Sequence, residues 1–174
     1  MTETRDAHEI IERARELGLT VAVAESLTGG LIASGLVDVP GASDVFIGGI
    51  ISYHSELKHT LLKVDAELLA AHGPVHERVA EQMALGARIA CATHRVGDEH
   101  PMHPDVAVAV TGVAGPDPDA FSGAQPGTVF IAVSSQLGER SEEYHFAGDR
   151  DAVRAQTAAA ALEMLHDEFS LLGD

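Results

Sequence analysis

The 174 residues suffice for one domain with a single core, so we expect residues 1–174 to form one folded unit. The composition, 45% hydrophobic and 22% charged, is typical of a globular protein and excludes a disordered chain. A formal net charge of -16 would repel a nucleic-acid backbone or an anionic membrane, so we expect neither as a partner, and an anionic ligand needs a local basic pocket.

The sequence favours a cytoplasmic protein. The start, MTETRDAHEI, lacks the basic region and apolar core of a secretory leader, and no apolar run approaches the ~20 residues of a membrane-spanning helix. The single cysteine, Cys91, excludes an internal disulfide and indicates a reducing compartment. Cys91 falls on the apolar face of a predicted helix, where we expect it to pack in the core rather than react.

The first half of the chain alternates between helix and strand. Apolar residues at helical spacing predict a helix over residues 6–18, which Gly18 can end. The short apolar run at 20–24 predicts a buried strand, and the run at 45–53 predicts a second strand. Further helices are predicted at 31–39, 55–62 and 65–73.

The second half begins with a long amphipathic stretch, residues 76–94, which predicts a helix. The side chains expected to face the core are Val79, Met83, Ala87, Ile89 and Ala90. A third strand is predicted at 105–112, a hairpin at 128–147 and a closing helix at 149–169. Strands separated by helices, plus one hairpin, predict a three-layer α/β/α sandwich with a mixed, mostly parallel β-sheet.

The turn AESLTGG, residues 24–30, joins the first predicted strand to a helix. Ligands of open α/β sheets bind at the carboxyl ends of strands, where Ser26 would lie. Gly29 and Gly30 would let a ligand approach the backbone, and free N–H groups there favour an anion or a developing oxyanion. The alternative is that Ser26 or Thr28 is only an N-cap, and this short motif alone favours the cap.

The stretch SYHSELK, residues 52–58, follows the second predicted strand and brings Tyr53 and Lys58 to the same sheet edge. Lys58 and Lys63 are the only lysines of the chain, and a general base must be able to lose its proton, as lysine can and arginine cannot. A solvated helix lysine is the alternative. Ser55 and Lys58 also have S-x-x-K spacing, but an N-cap is the better interpretation of Ser55.

Two further stretches contain candidate anion-binding groups. The chain turns through VTGVAGPD, residues 110–117, and continues to residue 127 as a loop; turns that contain glycine can point several N–H groups at one anion. The candidate residues of this stretch are Thr111, Gly112 and Gly115. Arg150 and Arg154 lie one turn apart on a predicted helix, where they can bind a phosphate or pair with neighbouring aspartates.

Together these stretches resemble the C-terminal domain family of the competence-damage-inducible protein CinA, over nearly the whole chain. The family pattern Ala-Glu-Ser-Cys-Thr-Gly-Gly matches residues 24–30 except at Leu27, and Pro-Gly-Ser-Ser is PGAS here, with Ser43 retained. The pattern Tyr-x-x-Glu-x-Lys matches Tyr53, Glu56 and Lys58. The remaining matches are Gly112–Pro116, PGTV at 126–129 and GDRDAVR at 148–154.

The resemblance implies an activity, because stand-alone members of this family are nicotinamide-nucleotide amidases. They hydrolyse the carboxamide of nicotinamide mononucleotide to nicotinate mononucleotide and ammonia, without metal or cofactor and usually as homodimers, on an α/β/α fold. By the resemblance, Ser26 is the nucleophile, and Lys58 and Tyr53 activate it and move its proton. The other implied site residues bind the oxyanion or the nucleotide: Thr28, Gly29, Gly30, Ser43, Thr111, Gly112, Gly115 and Arg150.

Catalysis by this set requires an unusual lysine. Lys58 can act as a base only if its pKa falls from about 10.4 toward neutrality, which needs burial or a nearby cation. Three features depart from the family pattern. Leu27 in place of cysteine excludes a cysteine mechanism, His76 stands where a serine is usual, and the stretch 94–105 is longer than its usual counterpart. Neither His76 nor the stretch 94–105 touches Ser26, the presumed nucleophile.

Ten histidines raise the question of a metal site. The pairs nearest to ligand spacing are His100 with His103 and His72 with His76. A buried zinc site needs about four ligands, and no cysteine or further histidine cluster joins these pairs. We therefore expect polar loop residues and no metal.

Three functional classes stay open on the sequence alone. The first is the serine-type amidase acting on a pyridine nucleotide. The second is a hydrolase that cleaves another bond of a related nucleotide, which a product assay would distinguish. The third is a non-catalytic nucleotide-binding or interaction module, which binding unaffected by Ser26→Ala, without turnover by the unmodified chain, would indicate.

Overall fold

The computed structural model describes residues 7–94, 96–97 and 99–173. The helices are α1 (Ala7–Leu17), α2 (Leu31–Val37), α3 (Ser55–Thr60), α4 (Ala66–His72), α5 (Glu77–Ala90) and α6 (Arg150–Gly173). The strands are β1 (Val21–Glu25), β2 (Phe46–Ile51), β3 (Val106–Gly112), β4 (Thr128–Ser135) and β5 (Gly138–His145), and a short 3-10 turn spans Ala42–Asp44. None of the described helices is long and apolar enough to cross a membrane.

The five strands form one mixed sheet in the order β2-β1-β3-β4-β5. β1 pairs in parallel with β2 and β3, whereas β4 pairs antiparallel with β3 and β5. Thus β1, β2, β3 and β5 run in one direction and β4 opposes them. The predicted mixed, mostly parallel sheet and its hairpin are confirmed.

The two faces of the sheet carry different side chains, because successive residues of a strand point to opposite faces. One face is rich in valine and isoleucine, among them Val23, Val108 and Ile131, and packs against α1, α2 and α6. The other face is rich in alanine, among them Ala22 and Ala109, and packs against α4, α5 and the segment after α3. The predicted three-layer α/β/α sandwich is therefore confirmed.

Helix α5 lies close to the segment that follows α3, because the facing positions are small. A side chain at Gly86 would overlap the carbonyl oxygen of Leu62. Ala80, Ala84 and Ala87 are fully buried on the core-facing side of the same helix. This close approach fixes the end of α3, the helix that carries Lys58.

The predicted inward face of α5 is wrong at two positions. Ile89 is 51% exposed and Ala90 is also exposed, whereas Val79, Met83 and Ala87 are buried as predicted. Each residue turns an α-helix by about 100°, so Ile89 is rotated roughly 200° from Ala87 and points away from the sheet.

Cys91 caps the carboxyl end of α5 and is partly buried against the alanine-rich face of the core. Burial raises the pKa of its thiol, so the reactive thiolate is disfavoured. The prediction of a packing role for this cysteine is confirmed.

Candidate active site

The carboxyl ends of β1, β2 and β3 meet at one edge of the sheet, because these strands are parallel. β1 ends at Glu25, so Ser26 is the first residue beyond it. β2 ends two residues before Tyr53, and β3 ends at Gly112. Three of the stretches singled out in the sequence therefore lie at this edge.

The Ser26 turn (residues 25–30) is held by the carboxylate of Glu25. This buried side chain accepts hydrogen bonds from the N–H groups of Gly30 (2.9 Å), Ile32 (3.2 Å) and Ala33 (2.8 Å). The first N–H groups of a helix have no partner within it, and the N-cap Gly30 has no side chain to bind them. Glu25 therefore fixes the turn to the start of α2.

The structure excludes the N-cap interpretation of Ser26 and Thr28. The N-cap of α2 is Gly30, which has a left-handed backbone with φ of 104°. Ser26 Oγ instead accepts a hydrogen bond from Lys58. The hydroxyl of Thr28 is buried and has no partner among the described residues.

Lys58 reaches the site from α3 and is only 1% exposed. Its Nζ donates to Ser26 Oγ at 2.9 Å and to the carbonyl oxygen of Ser52 at 2.6 Å. Both partners are neutral, so these contacts replace part of the hydration of an ammonium group but supply no opposite charge to stabilise it. Burial lowers the pKa of the Lys58 amine from its ordinary 10.5 to about 8. The amine can therefore lose its proton near neutral pH.

The start of α3 differs from the prediction by one residue. The N-cap is His54, whose Nδ1 accepts the N–H of Glu56 at 3.3 Å, and Ser55 is the first helical residue. The predicted N-cap role of Ser55 is therefore wrong. The S-x-x-K pair is not a functional pair either, because Lys58 donates to Ser26 and not to Ser55.

A cavity of about 280 Å³ opens beside Ser26 and Lys58. It is bounded by the ends of the three parallel strands, by the residues before α5 and by the loop 113–127. The other predicted site residues that line it are Tyr53, Thr111, Gly112, Gly115 and Arg150. The structure thus brings most of the predicted site together around one opening.

Arg150 joins two walls of this cavity. Its Nη1 donates to the carbonyl oxygen of Gly115 at 2.8 Å, and its Nη2 donates to the hydroxyl of Tyr53 at 3.1 Å. Tyr53 is 62% exposed, so its ring lies at the rim. The described partner of Tyr53 is Arg150 rather than Ser26 or Lys58, and its predicted part in proton transfer stays a prediction.

Thr111 and Gly112 shape the cavity. The hydroxyl of Thr111 donates to the carbonyl oxygen of Pro74 at 2.7 Å, which fixes the segment before α5 to the end of β3. A side chain at Gly112 would overlap the backbone of Thr128 and Val129 on β4. Glycine is needed there because the two backbones approach closely.

Two of the three predicted oxyanion donors are already occupied. The N–H of Gly29 donates to the carbonyl oxygen of Ser26 at 3.2 Å, and the N–H of Gly30 donates to Glu25. Among the hydrogen bonds between described residues, none uses the N–H of Leu27 or Thr28. Of these two residues, Leu27 lines the cavity and Thr28 is fully buried. The N–H groups of Gly29 and Gly30 are engaged elsewhere in this structure, and the part predicted for them in binding the oxyanion stays a prediction.

Ser43 lies away from this site. It is an exposed residue of the 3-10 turn Ala42–Asp44 that precedes β2. Because β2 is parallel to β1, its start lies at the sheet edge opposite Ser26. There Ser43 lines a separate depression with Val37 and Phe46. Within one chain, the predicted place of Ser43 in the site is therefore wrong.

Arg154 supports the Ser26 turn, a role that the sequence does not indicate. Its Nε and Nη2 donate to the carbonyl oxygens of Leu27 (3.0 Å) and Thr28 (2.9 Å), and its Nη1 lies 3.7 Å from a carboxylate oxygen of Asp151. These partners occupy the guanidinium. Of the two arginines considered for a phosphate, Arg150 is the one at the cavity.

The histidine pair His72 and His76 has ring centroids 4.6 Å apart. His76 is the N-cap of α5, and its Nδ1 accepts the N–H of Arg78 at 3.2 Å. An imidazole therefore performs the capping role open to a serine at this position. In the parts of the chain that the structure describes, no three side chains of the metal-binding types gather into a site.

The chain matches the family model described as the CinA C-terminal domain over residues 3–169. A CinA-like protein of Geobacter sulfurreducens is 47% identical over 152 residues, which cover 87% of this chain and 34% of that protein. The chain thus spans about a third of the length of the curated relatives it matches.

Solved structures agree with the sequence match. The competence/damage inducible protein CihA from Agrobacterium tumefaciens is 34% identical, with a TM-score of 0.80 over 96% of this chain and 98% of that one. A CinA superfamily protein from Klebsiella pneumoniae is 28% identical, with a TM-score of 0.81 over 95% of this chain and 99% of that one. The chain belongs to the CinA C-terminal domain family.

Proposed function

We propose that the chain is a serine-type amidase that hydrolyses the carboxamide of nicotinamide mononucleotide to nicotinate mononucleotide and ammonia. One observation carries this proposal: Lys58 Nζ lies 2.9 Å from Ser26 Oγ beside a cavity that can admit a ligand. A serine hydroxyl is inert alone and needs an adjacent base, and a buried lysine with a pKa of about 8 is such a base.

In the first half of the reaction, neutral Lys58 takes the proton of Ser26 as Oγ attacks the carboxamide carbon. The carbonyl π-bond breaks and its electron pair moves to oxygen. The N–H group of Leu27, which directly follows the nucleophile and lines the cavity, has no partner among the described residues and can donate to this oxyanion. Protonated Lys58 then gives its proton to the amide nitrogen, the C–N bond breaks, and ammonia leaves an ester on Ser26.

In the second half, water hydrolyses this ester. Neutral Lys58 removes a proton from the attacking water, a new tetrahedral intermediate forms, and the C–O bond to Ser26 breaks as Lys58 returns the proton to Oγ. The product leaves as a carboxylate. Every step uses one base that changes protonation state, so an amine with a pKa of about 8 suits both directions of transfer.

Substrate orientation depends on the opposite wall of the cavity. Arg150 uses two of its five N–H donors on Gly115 and Tyr53, so the guanidinium can also bind a phosphate oxygen. In a chain with a net charge of -16, this cation supplies the local positive charge that an anionic ligand requires. If the phosphate of the substrate binds to Arg150, the carboxamide at the other end of the nucleotide can lie against Ser26.

The test is ammonia release from nicotinamide mononucleotide by the purified chain in the presence of a chelator. Ser26→Ala and Lys58→Met should each lower kcat by at least about a thousandfold, because both groups act in the same step. Ser55→Ala is the matched control, since Ser55 lines the same cavity but is not one of the hydrogen-bond partners of Lys58 Nζ. Turnover retained by Ser26→Ala would contradict the assignment.

The other functional classes are outcomes of the same experiment. Cleavage of the nucleotide without ammonia would indicate hydrolysis of another bond. Binding without turnover by the unmodified chain would indicate a nucleotide-binding module. The homodimer that the resemblance implies stays a prediction, which sedimentation equilibrium of the purified chain would test.

A further inference from the structure

Two aspartates face the cavity from the loop 113–127. Asp119 is fixed in place: its Oδ2 accepts the N–H of Phe121 (3.2 Å), the N–H of Ser122 (2.7 Å) and the hydroxyl of Ser122 (2.7 Å). Asp117 is exposed and makes no side-chain hydrogen bond or ion pair with another described residue. Both residues line the same cavity as Ser26 and Lys58.

Asp119 is ionised at neutral pH. Partial burial raises the pKa of this carboxyl, but the hydrogen bonds donated by Ser122 and Phe121 outweigh burial, and the net pKa is lowered. These hydrogen bonds all reach Oδ2. Oδ1 is used by none of the hydrogen bonds between described residues, so one oxygen of a positioned carboxylate stays available.

The charges around the cavity are therefore of both signs. Among the described residues that line it, the cations are Arg150 and Lys58, and the anions are Asp117 and Asp119. When Lys58 is in the neutral form that acts as a base, the charged groups of these lining residues are one guanidinium and two carboxylates. Such a cavity is poorly matched to a ligand that carries only negative charge.

Loop stabilisation explains only part of this arrangement. It accounts for Oδ2 of Asp119, which orders the turn that follows it. It does not account for Asp117, which stabilises nothing that the structure describes. A nucleotide with one phosphate and a cationic ring would use both signs of charge in the cavity: its phosphate could pair with Arg150 and its ring with the aspartates. The oxidised pyridine nucleotides are ligands of this class.

We propose that Asp117 and Asp119 select a cationic pyridinium ring over a neutral ring that carries the same carboxamide and phosphate. This inference rests on the proposed function and names the charge state of its substrate. Opposite charges a few ångströms apart in a partly hydrated cleft attract by an amount that corresponds to about a tenfold preference per carboxylate. Removing both carboxylates should abolish the preference.

The experiment measures binding in the Ser26→Ala background, so that neither ligand is consumed and ring reactivity does not enter. The ligands are nicotinamide mononucleotide and its reduced dihydropyridine form, which lacks the ring charge. Calorimetry gives the ratio of their Kd values in this background and after adding Asp117→Asn, Asp119→Asn or both. We expect a preference for the oxidised ligand that falls several-fold with each substitution and vanishes with both.

Two further variants separate charge from structure. Ser122→Ala removes one hydrogen bond to Asp119 but keeps its charge and both backbone N–H donors, so the preference should persist. Asp38→Asn removes one negative charge from the exposed end of α2, away from the cavity, and should leave the ratio unchanged.

The outcomes also separate this inference from the proposed function. Equal affinity for the two ligands, or an unchanged preference in Asp117→Asn/Asp119→Asn, would overturn the inference. If the unmodified chain still releases ammonia from nicotinamide mononucleotide in that case, the proposed function stands. Failure of both ligands to bind, together with no turnover, would overturn both.

Discussion

The burial of Lys58 leads to a quantitative prediction, because a group whose pKa differs between the folded and unfolded states makes the free energy of unfolding depend on pH. The folded state lowers the pKa of this amine from 10.5 to about 8. Below pH 8 both states bind the proton, and the full cost of burying the charged form is present. Between about pH 8 and 10.5 only the unfolded state binds it, so the stability of the folded protein rises with pH.

The size of this effect follows from the shift. A pKa difference of this size corresponds to roughly 3 kcal/mol, gained at about 1.4 kcal/mol per pH unit. Lys58→Met removes the titration. The difference in the free energy of unfolding between the unmodified chain and this variant should therefore change by roughly 3 kcal/mol in favour of the unmodified chain from pH 7 to pH 11.

The assay is urea denaturation at a series of pH values, since differences between variants cancel the titration of other groups. Lys63→Met is the matched control, because Lys63 is the other lysine of the chain and is exposed. It should show no such pH-dependent difference. The prediction would be contradicted if the difference in the free energy of unfolding between the unmodified chain and Lys58→Met stayed constant across this range. Lys58 would then titrate at its ordinary pKa in the folded protein.

Further predictions concern the turn, the core and the pH profile. Glu25→Gln leaves buried N–H groups without full acceptors, so we expect a loss of about 3 kcal/mol in urea denaturation and of most turnover. Gly86→Ala should destabilise by about 1–3 kcal/mol, because its methyl group overlaps backbone, whereas Gly35→Ala, on a helix with open space, should be neutral or stabilising; thermal denaturation distinguishes them. Arg154→Met should lower kcat more than it raises KM in steady-state kinetics, because it loosens the Ser26 turn without entering the cavity; a change in KM alone would contradict this role. The value of kcat/KM should rise about tenfold from pH 6 to pH 7 and level off above about pH 8, and a flat profile would argue against an amine base.

The layers of the fold follow from local patterns. The alternating Val and Ala residues of β1 and β3 indicate strands that are buried on both faces. The helical spacing of Val79, Met83 and Ala87 indicates the helix α5, which precedes β3 in the chain. Ile89 was misplaced although the helical period, at about 100° per residue, already turns it away from Ala87. Ala90 has the spacing of the buried face but is the last residue of α5, and where a helix ends relative to the sheet is a tertiary property.

The core of the candidate site could also be predicted, because strand order brings the ends of parallel strands together. Ser26 and Lys58 are 32 residues apart, yet each closely follows a strand of the same sheet. The burial of Lys58, and hence its lowered pKa, could not be read from a helix whose neighbours are polar. Burial depends on what packs over the residue.

The supporting contacts carried no local signal. Arg154 donates to carbonyl oxygens 126 and 127 residues earlier in the chain. Every residue has a carbonyl oxygen, so the residue types at those positions do not indicate that an arginine binds there. The position of Ser43 was misjudged for the opposite reason: a matching motif does not say which edge of the sheet it occupies. His54 and His76 were not expected as N-caps, because Ser, Thr, Asp and Asn usually fill that role.

The central claim is that Ser26 becomes covalently attached to the acyl group of the substrate. We would mix the unmodified chain with excess nicotinamide mononucleotide, quench the mixture with acid within milliseconds to seconds, and measure the mass of the peptide that contains Ser26. We expect an added nicotinate mononucleotide acyl group on Ser26 in the unmodified chain and neither adduct nor turnover in Ser26→Ala. Ammonia release that continues in Ser26→Ala would contradict it.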